Sequence, residues 1–308
     1  MTGRRWESYQ TVEVQVPDDW SWGTTNRPPC LVDKLGPPYV GRPGAIRAKG
    51  CRDPYPPLPY RTSYLWFDAD ARKRGRVLPV VPPSGPAREP GVRPPDHGWT
   101  EETRVVDGVY LTVFSDDDAL RHRILDSARP IDGLDAYGCP PDHPLAEPTL
   151  YPIATSTADA RAHPPTARPA DTGGLPAPGA VESITVCRYA IRNGRGERRA
   201  PLIASSRLAG PEASALVAAI LEAPEGYGPE DLSCIDILGA ELIVLKVRAD
   251  GLEQEVLVRY AGCHFNGTDD GGTRRQLSAA VVRPLLRGIH HQTSYNHQLY
   301  EMVKGIQR

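Results

Sequence analysis

The stretch ELIVLKVRADGLEQEVLVRYAGCHFNGTDDGG, residues 241–272, decides how the second half of this chain folds. The nearly continuous apolar run from Leu242 to Val247 predicts a buried central strand. Asp250-Gly251 favours a tight turn, so residues 255–261 are predicted to run back beside the first strand. A polar, glycine-rich cluster at 263–272 follows, where the chain leaves the predicted sheet.

Four further elements are predicted around this strand pair. They are strands at 184–191 and 202–206, a helix that opens at Pro211, and a short helix from Ser278 that Pro284 interrupts. The resulting order is strand, strand, helix, strand, strand, helix. That order favours an α+β domain with an antiparallel sheet, spanning residues 183–289.

The first half of the chain shows a weaker pattern of the same kind. It predicts strands at 11–16 and 64–67, a hairpin turning at Asp107-Gly108, and a helix that Ser115 caps, with Asp116, Asp117 and Asp118 in its first turn. Acidic side chains in a first helical turn favour the helix dipole, which accounts for the three aspartates without a metal ion.

The predicted fold class is therefore α+β, with two small units of antiparallel sheet, each with one or two packed helices, and long Pro-rich loops. The predicted division of the chain is an N-terminal α+β domain at 1–139, a Pro/Ala/Thr-rich linker at 140–182, a C-terminal α+β domain at 183–289, and a polar tail at 290–308.

Composition excludes several broad classes of function. The formal net charge is −2, so the chain lacks the basic character that nucleic-acid and anionic-membrane binding usually require. No apolar run approaches the ~20 residues of a transmembrane helix. The N-terminal residues lack the apolar segment of a signal peptide, which favours a cytoplasmic location. The cysteines instead favour an extracytoplasmic location.

The six cysteines contain no Cys-x-x-Cys pair, which disfavours a zinc knuckle, and their even number and wide spacing favour three disulfides. The predicted pairs are Cys30–Cys51 around a Pro-rich loop, Cys234–Cys263 at neighbouring ends of a strand pair, and Cys139–Cys187 by elimination. Six buried thiols in a cytosolic protein are the alternative. Disulfides predict an extracytoplasmic location, with an export segment upstream of the given start or already removed.

Several short phrases resemble a family of uncharacterised actinobacterial proteins, many of them exported or lipoprotein-like. The phrases are VEVQVPDDW (12–20), YVGRPG (39–44), ILDSAR (124–129), VRYAGC (258–263) and NGTDDG (266–271). The resemblance covers roughly residues 6–288 and implies extracytoplasmic placement. It implies no activity, cofactor or catalytic residue, and the chain departs from the family in its missing export segment.

The cluster at 263–272 is the predicted ligand-binding region, through His264, Asn266, Asp269 and Asp270. Three interpretations are open. Asp269, Asp270 and the Asn266 side chain could hold a hard cation through oxygen atoms. His264 and Asp269 could form a base and its orienting carboxylate in a hydrolase. The third interpretation is a surface-exposed turn built on Asn-Gly and Asp-Gly steps.

These observations favour a non-enzymatic, disulfide-stabilised extracytoplasmic binding or interaction protein without a cofactor, whose partner is an unidentified protein or cell-surface ligand. The alternative is a hydrolase or metal-dependent enzyme that uses the 263–272 cluster. His290, His291 and His297 could also collect a transition metal, although short polar tails often carry histidines without binding one.

Overall fold

The computed structural model describes residues 3–23, 33–43, 55–69, 89–151, 164–191, 200–230, 241–291 and 297–304. Within these ranges the chain forms three sheets and four helices, which confirms a mixed α+β fold. The strands are β1 (Arg4–Tyr9), β2 (Val12–Pro17), β3 (Ser21–Trp22), β4 (Tyr39–Gly41), β5 (Tyr64–Ala69), β6 (Gly91–Val92), β7 (Thr100–Val106), β8 (Val109–Ser115), β9 (Arg129–Pro130), β10 (Val181–Ala190), β11 (Leu202–Ala209), β12 (Glu241–Ala249), β13 (Leu252–Arg259), β14 (Gly267–Asp269) and β15 (Arg274–Arg275). The helices are α1 (Asp118–Asp126), α2 (Pro211–Glu222), α3 (Ala279–Leu285) and α4 (His297–Val303).

Two of the sheets are built from the first 130 residues. A three-stranded ribbon has the order β1-β2-β9, and the N-terminal sheet has the order β3-β4-β5-β8-β7-β6. The N-terminal sheet is mixed, because β4 pairs in parallel with both β3 and β5. The expectation of purely antiparallel pairing is therefore wrong for these two strand pairs.

The β7–β8 hairpin confirms the predicted turn at Asp107-Gly108. Both turn residues have positive φ, at 43° and 80°, as a two-residue hairpin turn requires. Helix α1 begins later than predicted, because Asp117 rather than Ser115 supplies the N-cap by accepting a hydrogen bond from the Leu120 amide. The Ser115 hydroxyl instead accepts from the Asp117 amide.

The C-terminal sheet has the order β11-β10-β12-β13-β14-β15 and is antiparallel throughout. Alternate side chains along β10 and β12 bury into two different cores. Ile184 and Leu245 pack against helices α2, α3 and α4 on one face. Tyr189 and Val244 pack on the other face against Ala146 and neighbouring residues of the segment after the N-terminal sheet. Both faces of this sheet are therefore covered.

The segments expected to be a linker and a tail contribute to this packing. Tyr151 and Ala167, from the 140–182 range, are buried beneath the C-terminal sheet. Leu299 and Val303 of α4, from the 290–308 range, are buried among the helices. The exact domain boundaries stay a prediction. None of the helices within the described ranges is long and apolar enough to cross a membrane.

The ribbon meets the C-terminal sheet through a buried polar junction. The Gln10 amide donates to the Leu202 carbonyl at 2.7 Å. The Arg42 guanidinium donates to the carbonyl oxygens of Ser8, at 2.6 Å, and Ile203, at 3.1 Å, and forms an ion pair with Glu7. A single buried side chain thus satisfies backbone groups of both β1 and β11.

A disulfide reinforces this arrangement. Cys139 and Cys187 are bonded, with Cα atoms 5.6 Å apart, which confirms the pair assigned by elimination. Asp135 shapes the loop before Cys139 by accepting from the Cys139 amide and from the Ser205 hydroxyl of β11. Cys263 is also disulfide-bonded. Its predicted pairing with Cys234, and the pair Cys30–Cys51, stay predictions because Cys30, Cys51 and Cys234 lie outside the described residues.

Candidate functional site

The four residues predicted to bind a ligand are buried, which contradicts the expectation of a surface-exposed turn. His264 and Asn266 are each 3% exposed, Asp269 is 0% exposed and Asp270 is 5% exposed. His264 and Asn266 lie in the connection between β13 and β14, Asp269 ends β14, and Asp270 begins the turn to β15. Burial of several polar groups requires partners for each of them.

The side chain of Asn266 forms its hydrogen bonds with backbone groups close to its own loop. Its amide nitrogen donates to the carbonyl oxygens of Gly262, at 2.7 Å, and Pro229, at 3.2 Å, and its side-chain oxygen accepts from the Gly262 amide. The side chain therefore fixes the loop, and its oxygen, the atom that could ligate a cation, is already engaged by the Gly262 amide.

His264 faces Glu230, with its Nδ1 atom 3.3 Å from a Glu230 carboxylate oxygen. The contact lacks the geometry of a hydrogen bond. Among the described residues His264 forms no hydrogen bond with Asp269. The base and orienting carboxylate of a hydrolase are thus not brought together.

Asp269 lies at the centre of an arginine cluster, defined here as Arg168, Arg259 and Arg274 around its carboxylate. Arg168 binds both carboxylate oxygens, with Nε 2.9 Å from Oδ2 and Nη2 2.9 Å from Oδ1. Arg274 Nε donates to Oδ2 at 3.0 Å, and Arg259 Nη2 lies 3.9 Å from the same oxygen. The Gly271 amide completes the shell by donating to Oδ1.

This shell decides the protonation state and chemistry of Asp269. Burial opposes ionisation, but hydrogen bonds from Arg168, the Gly271 amide and Arg274 outweigh it and lower the pKa of the carboxyl group. Its acceptor positions are occupied by these donors. A hard cation would have to compete with three guanidiniums, so the residues do not fit a metal site. No group of three or more His, Cys, Asp or Glu residues with metal-binding geometry occurs in the described part of the chain.

Asp270 holds the turn that presents the cluster. Its carboxylate accepts from the amides of Gly272, at 3.0 Å, and Thr273, at 2.6 Å. Gly271 has φ +92°, and a Cβ atom there would lie 2.6 Å from the Ala170 carbonyl oxygen. Glycine is required for both reasons, because the backbone is left-handed and passes close to the segment that carries Arg168.

Tyr227 supports two of the three arginines. The guanidinium carbons of Arg259 and Arg274 lie 5.5 Å and 5.1 Å from the centre of its ring. The Tyr227 hydroxyl is buried and has no hydrogen-bond partner among the described residues. Cation–π contacts of this kind orient the guanidinium plane, and they are stronger where water is excluded.

The Asp269 carboxylate is contacted by more guanidiniums than it can neutralise by itself. Arg168 and Arg274 hydrogen-bond to it and Arg259 lies 3.9 Å away, while the carboxylates of Asp270 and Asp171 lie at the adjoining turn. The Arg168 and Arg274 side chains are 37% and 34% exposed, whereas Arg259 is 7% exposed. Two of the three guanidiniums are therefore accessible from solvent.

His290, one of the three histidines suggested as metal ligands, is instead paired with Ser206. The Ser206 hydroxyl is 2.8 Å from His290 Nε2, a distance typical of a nucleophile and its base. Burial, followed by the charges of Arg188 and Arg42, lowers the pKa of His290 well below its usual value. These arginines would oppose the imidazolium that a general base must form, so the pair fits a structural hydrogen bond. His290 is accordingly buried in the junction rather than available to a metal in the tail.

The arginines and Tyr227 were missed because no local signal marks them. Arg168 belongs to a segment rich in proline and alanine, and it reaches Asp269 across 101 positions of sequence. Arg274 follows the predicted cluster directly and is the one member that proximity in sequence could have suggested.

Comparisons with protein-family models, with curated proteins and with solved structures find no match to this chain. The resemblance to actinobacterial exported proteins thus stays a prediction.

Proposed function

We propose that this chain is a non-enzymatic, disulfide-stabilised extracytoplasmic binding protein, built from two small α+β units, whose ligand is an anion bound at the arginine cluster. The observation that carries the proposal is the gathering of three guanidiniums around Asp269, two of which, Arg168 and Arg274, remain about one third exposed. Arginine is the residue best suited to recognise carboxylate or phosphate groups at such a site.

The cluster has the preorganisation that ligand binding favours. Arg168 donates a hydrogen bond to each of the two carboxylate oxygens of Asp269. Arg274 donates to Asp269 through Nε, and the face of its guanidinium lies against the Tyr227 ring. Side chains that are already ordered lose less conformational entropy when a ligand arrives. The rigid turn at Asp270 and Gly271 fixes Arg274 relative to Arg168.

The extracytoplasmic part of the proposal is supported by the cysteines. Cys139 and Cys187 form a disulfide, and Cys263 is disulfide-bonded as well. Stable disulfides of this kind are usual in oxidising compartments and rare in the cytosol.

The metal-dependent or hydrolytic alternative has less support. Asn266 and Asp269 already use their acceptor atoms within the protein, and His264 faces Glu230 instead of Asp269. Stoichiometric metal in protein purified without chelator, lost on Asp269→Asn substitution, would favour that alternative over ours.

The binding proposal is tested by thermal unfolding in the presence of anions at constant ionic strength. Succinate and inorganic phosphate serve as probes, and we expect at least one to raise the unfolding temperature of the wild-type protein, since a ligand that binds the native state stabilises it. The shift should disappear in the double variant Arg168→Ala/Arg274→Ala. It should persist in Arg248→Ala, a matched control whose side chain is 62% exposed and pairs with Glu182 across strands β10 and β12. Absence of any shift in the wild-type protein would contradict the proposal.

A further inference from the structure

The three arginines of the cluster differ in which edge of the guanidinium is already engaged. Arg168 uses Nε and Nη2 for Asp269, and its Nη2 also lies 3.5 Å from the Gly272 carbonyl oxygen. Arg259 is engaged by the carbonyl oxygens of Phe265 and Ala167. Arg274 uses its Nε atom alone, for Asp269 Oδ2.

Arg274 therefore leaves the terminal edge of its guanidinium, formed by the two Nη atoms, unengaged among the described residues. Within the described ranges neither of its Nη atoms has a hydrogen-bond partner, and 34% of the side chain is exposed. The Nε contact fixes one end of the guanidinium, and the Tyr227 ring, 5.1 Å from its central carbon, fixes the plane. The result is a guanidinium that is anchored at Nε and on one face, with the fork of its two Nη groups remaining as donors.

Such a fork matches a group with two oxygens in one plane. We infer that the ligand of the arginine cluster carries a carboxylate, bound through both oxygens by the Nη atoms of Arg274, with Arg168 Nη1 as a neighbouring donor. This inference rests on the proposed function. Bidentate arginine–carboxylate pairing adds geometric specificity to charge attraction, which a lysine at the same position cannot supply.

Charge distinguishes a carboxylate from a phosphate monoester here. The three guanidiniums already face Asp269 and Asp270, and Asp171 lies at the same turn, so a ligand with one negative charge meets less repulsion than a ligand with two. A carboxylate carries one negative charge. A phosphate monoester, with about −1.5 to −2 charge at pH 7, would leave excess negative charge beside the buried Asp269 carboxylate.

The test compares N-acetylglycine with its neutral amide and with inorganic phosphate, each titrated by calorimetry at the same ionic strength. We expect N-acetylglycine to bind, the amide not to bind, and phosphate to bind more weakly. Arg274→Lys keeps the charge but removes the fork, and it should weaken N-acetylglycine binding by about tenfold or more. Arg248→Lys, at an exposed site elsewhere, should leave the affinity unchanged.

The outcomes separate the inference from the proposal beneath it. If Arg274→Lys binds N-acetylglycine as tightly as the wild-type protein, the fork is refuted but anion binding stands. If phosphate binds as well as the carboxylate, the charge argument is overturned. If no anion binds, both ideas fail. Should Arg274→Lys not fold, the side-chain NMR signals of Arg274 in the unmodified protein decide, because its Nη protons must shift on adding N-acetylglycine and must not shift with the amide.

Discussion

Replacement of Arg42 by methionine is the sharpest test of how the ribbon and the C-terminal sheet are held together. The Arg42 side chain is 2% exposed, and the carboxylate it pairs with, Glu7, is 1% exposed. Methionine fills a similar volume but removes the Arg42 guanidinium from Glu7 and from the carbonyl oxygens of Ser8 and Ile203. Arg42→Met therefore removes three interactions from a site that water does not reach.

The expected loss follows from these contacts. Removing one partner of a buried ion pair costs about 3–5 kcal/mol, because the remaining charge stays buried. In this variant the Glu7 carboxylate keeps two hydrogen-bond donors, Arg5 Nε at 2.7 Å and Trp22 Nε1 at 3.0 Å, and therefore stays partly compensated. We therefore expect a value near the lower end, about 3 kcal/mol of unfolding free energy.

Urea unfolding of the wild-type protein and four variants measures this effect. Arg248→Met serves as a control for loss of an exposed arginine and should cost no more than about 0.5 kcal/mol. Glu7→Gln combined with Arg42→Met should cost less than the sum of the two single substitutions by about 1 kcal/mol or more, since the two side chains are in direct contact. A loss below about 1 kcal/mol for Arg42→Met would refute the view that Arg42 holds β1 and β11 together, and strict additivity in the double variant would refute energetic coupling between Arg42 and Glu7.

Three further outcomes are expected from single positions. Gly271→Ala should lower the free energy of unfolding by about 2–3 kcal/mol, because the backbone there is left-handed and the new Cβ would lie 2.6 Å from the Ala170 oxygen. The control Gly98→Ala, which is also left-handed but in open space, should lower it by about 1 kcal/mol. Equal losses for the two variants would be evidence against the close approach at Gly271. Burial raises the pKa of Glu101 to about 7, against the opposing charge of Arg93, so the native state holds this proton more tightly than the unfolded chain. The contribution of the Glu101 proton to the free energy of unfolding is then complete below pH ~4.5 and is lost as the pH rises to about 7, by up to about 3 kcal/mol. Glu101→Gln should flatten this dependence of the unfolding free energy on pH. An unchanged pH dependence would show that the pKa of the carboxyl group is not raised. The double variant Cys139→Ser/Cys187→Ser should have a free energy of unfolding about 4 kcal/mol below that of the wild-type protein, the chain-entropy value for a separation of 48 residues. A loss under about 1 kcal/mol would mean that the loop is fixed without the disulfide.

Local chemistry made several elements of this fold predictable. The turn at Asp107-Gly108 and helix α2 are set by residues adjacent in sequence, and both formed as expected. Strand β1 was missed, because its charged residues show no simple alternation. Glu7 is buried there between Arg5 and Arg42, and Arg42 lies 35 positions later in the sequence. Partners at that distance leave no periodic signal in either segment.

The candidate site shows the same limit. Glycine and aspartate at 266–272 correctly indicated a tight turn between strands, and the carboxylate of Asp270 forms it. The inference that such a turn is exposed was wrong, because Arg168 and Arg259 approach Asp269 from elsewhere in the chain. A polar cluster can be buried when its charges are paired, and pairing depends on tertiary structure that the sequence does not display.

The Cys139–Cys187 bond also changes what a break in the backbone means. The peptide chain between these cysteines forms a closed ring, so one proteolytic cut within it produces a nicked molecule and not two separate fragments. Both ends of the cut remain attached through sulfur, and the two parts would part only after reduction. The same closed ring makes this segment a natural place to accept inserted sequence or an engineered cleavage site, since neither event releases the N-terminal strands from the C-terminal sheet.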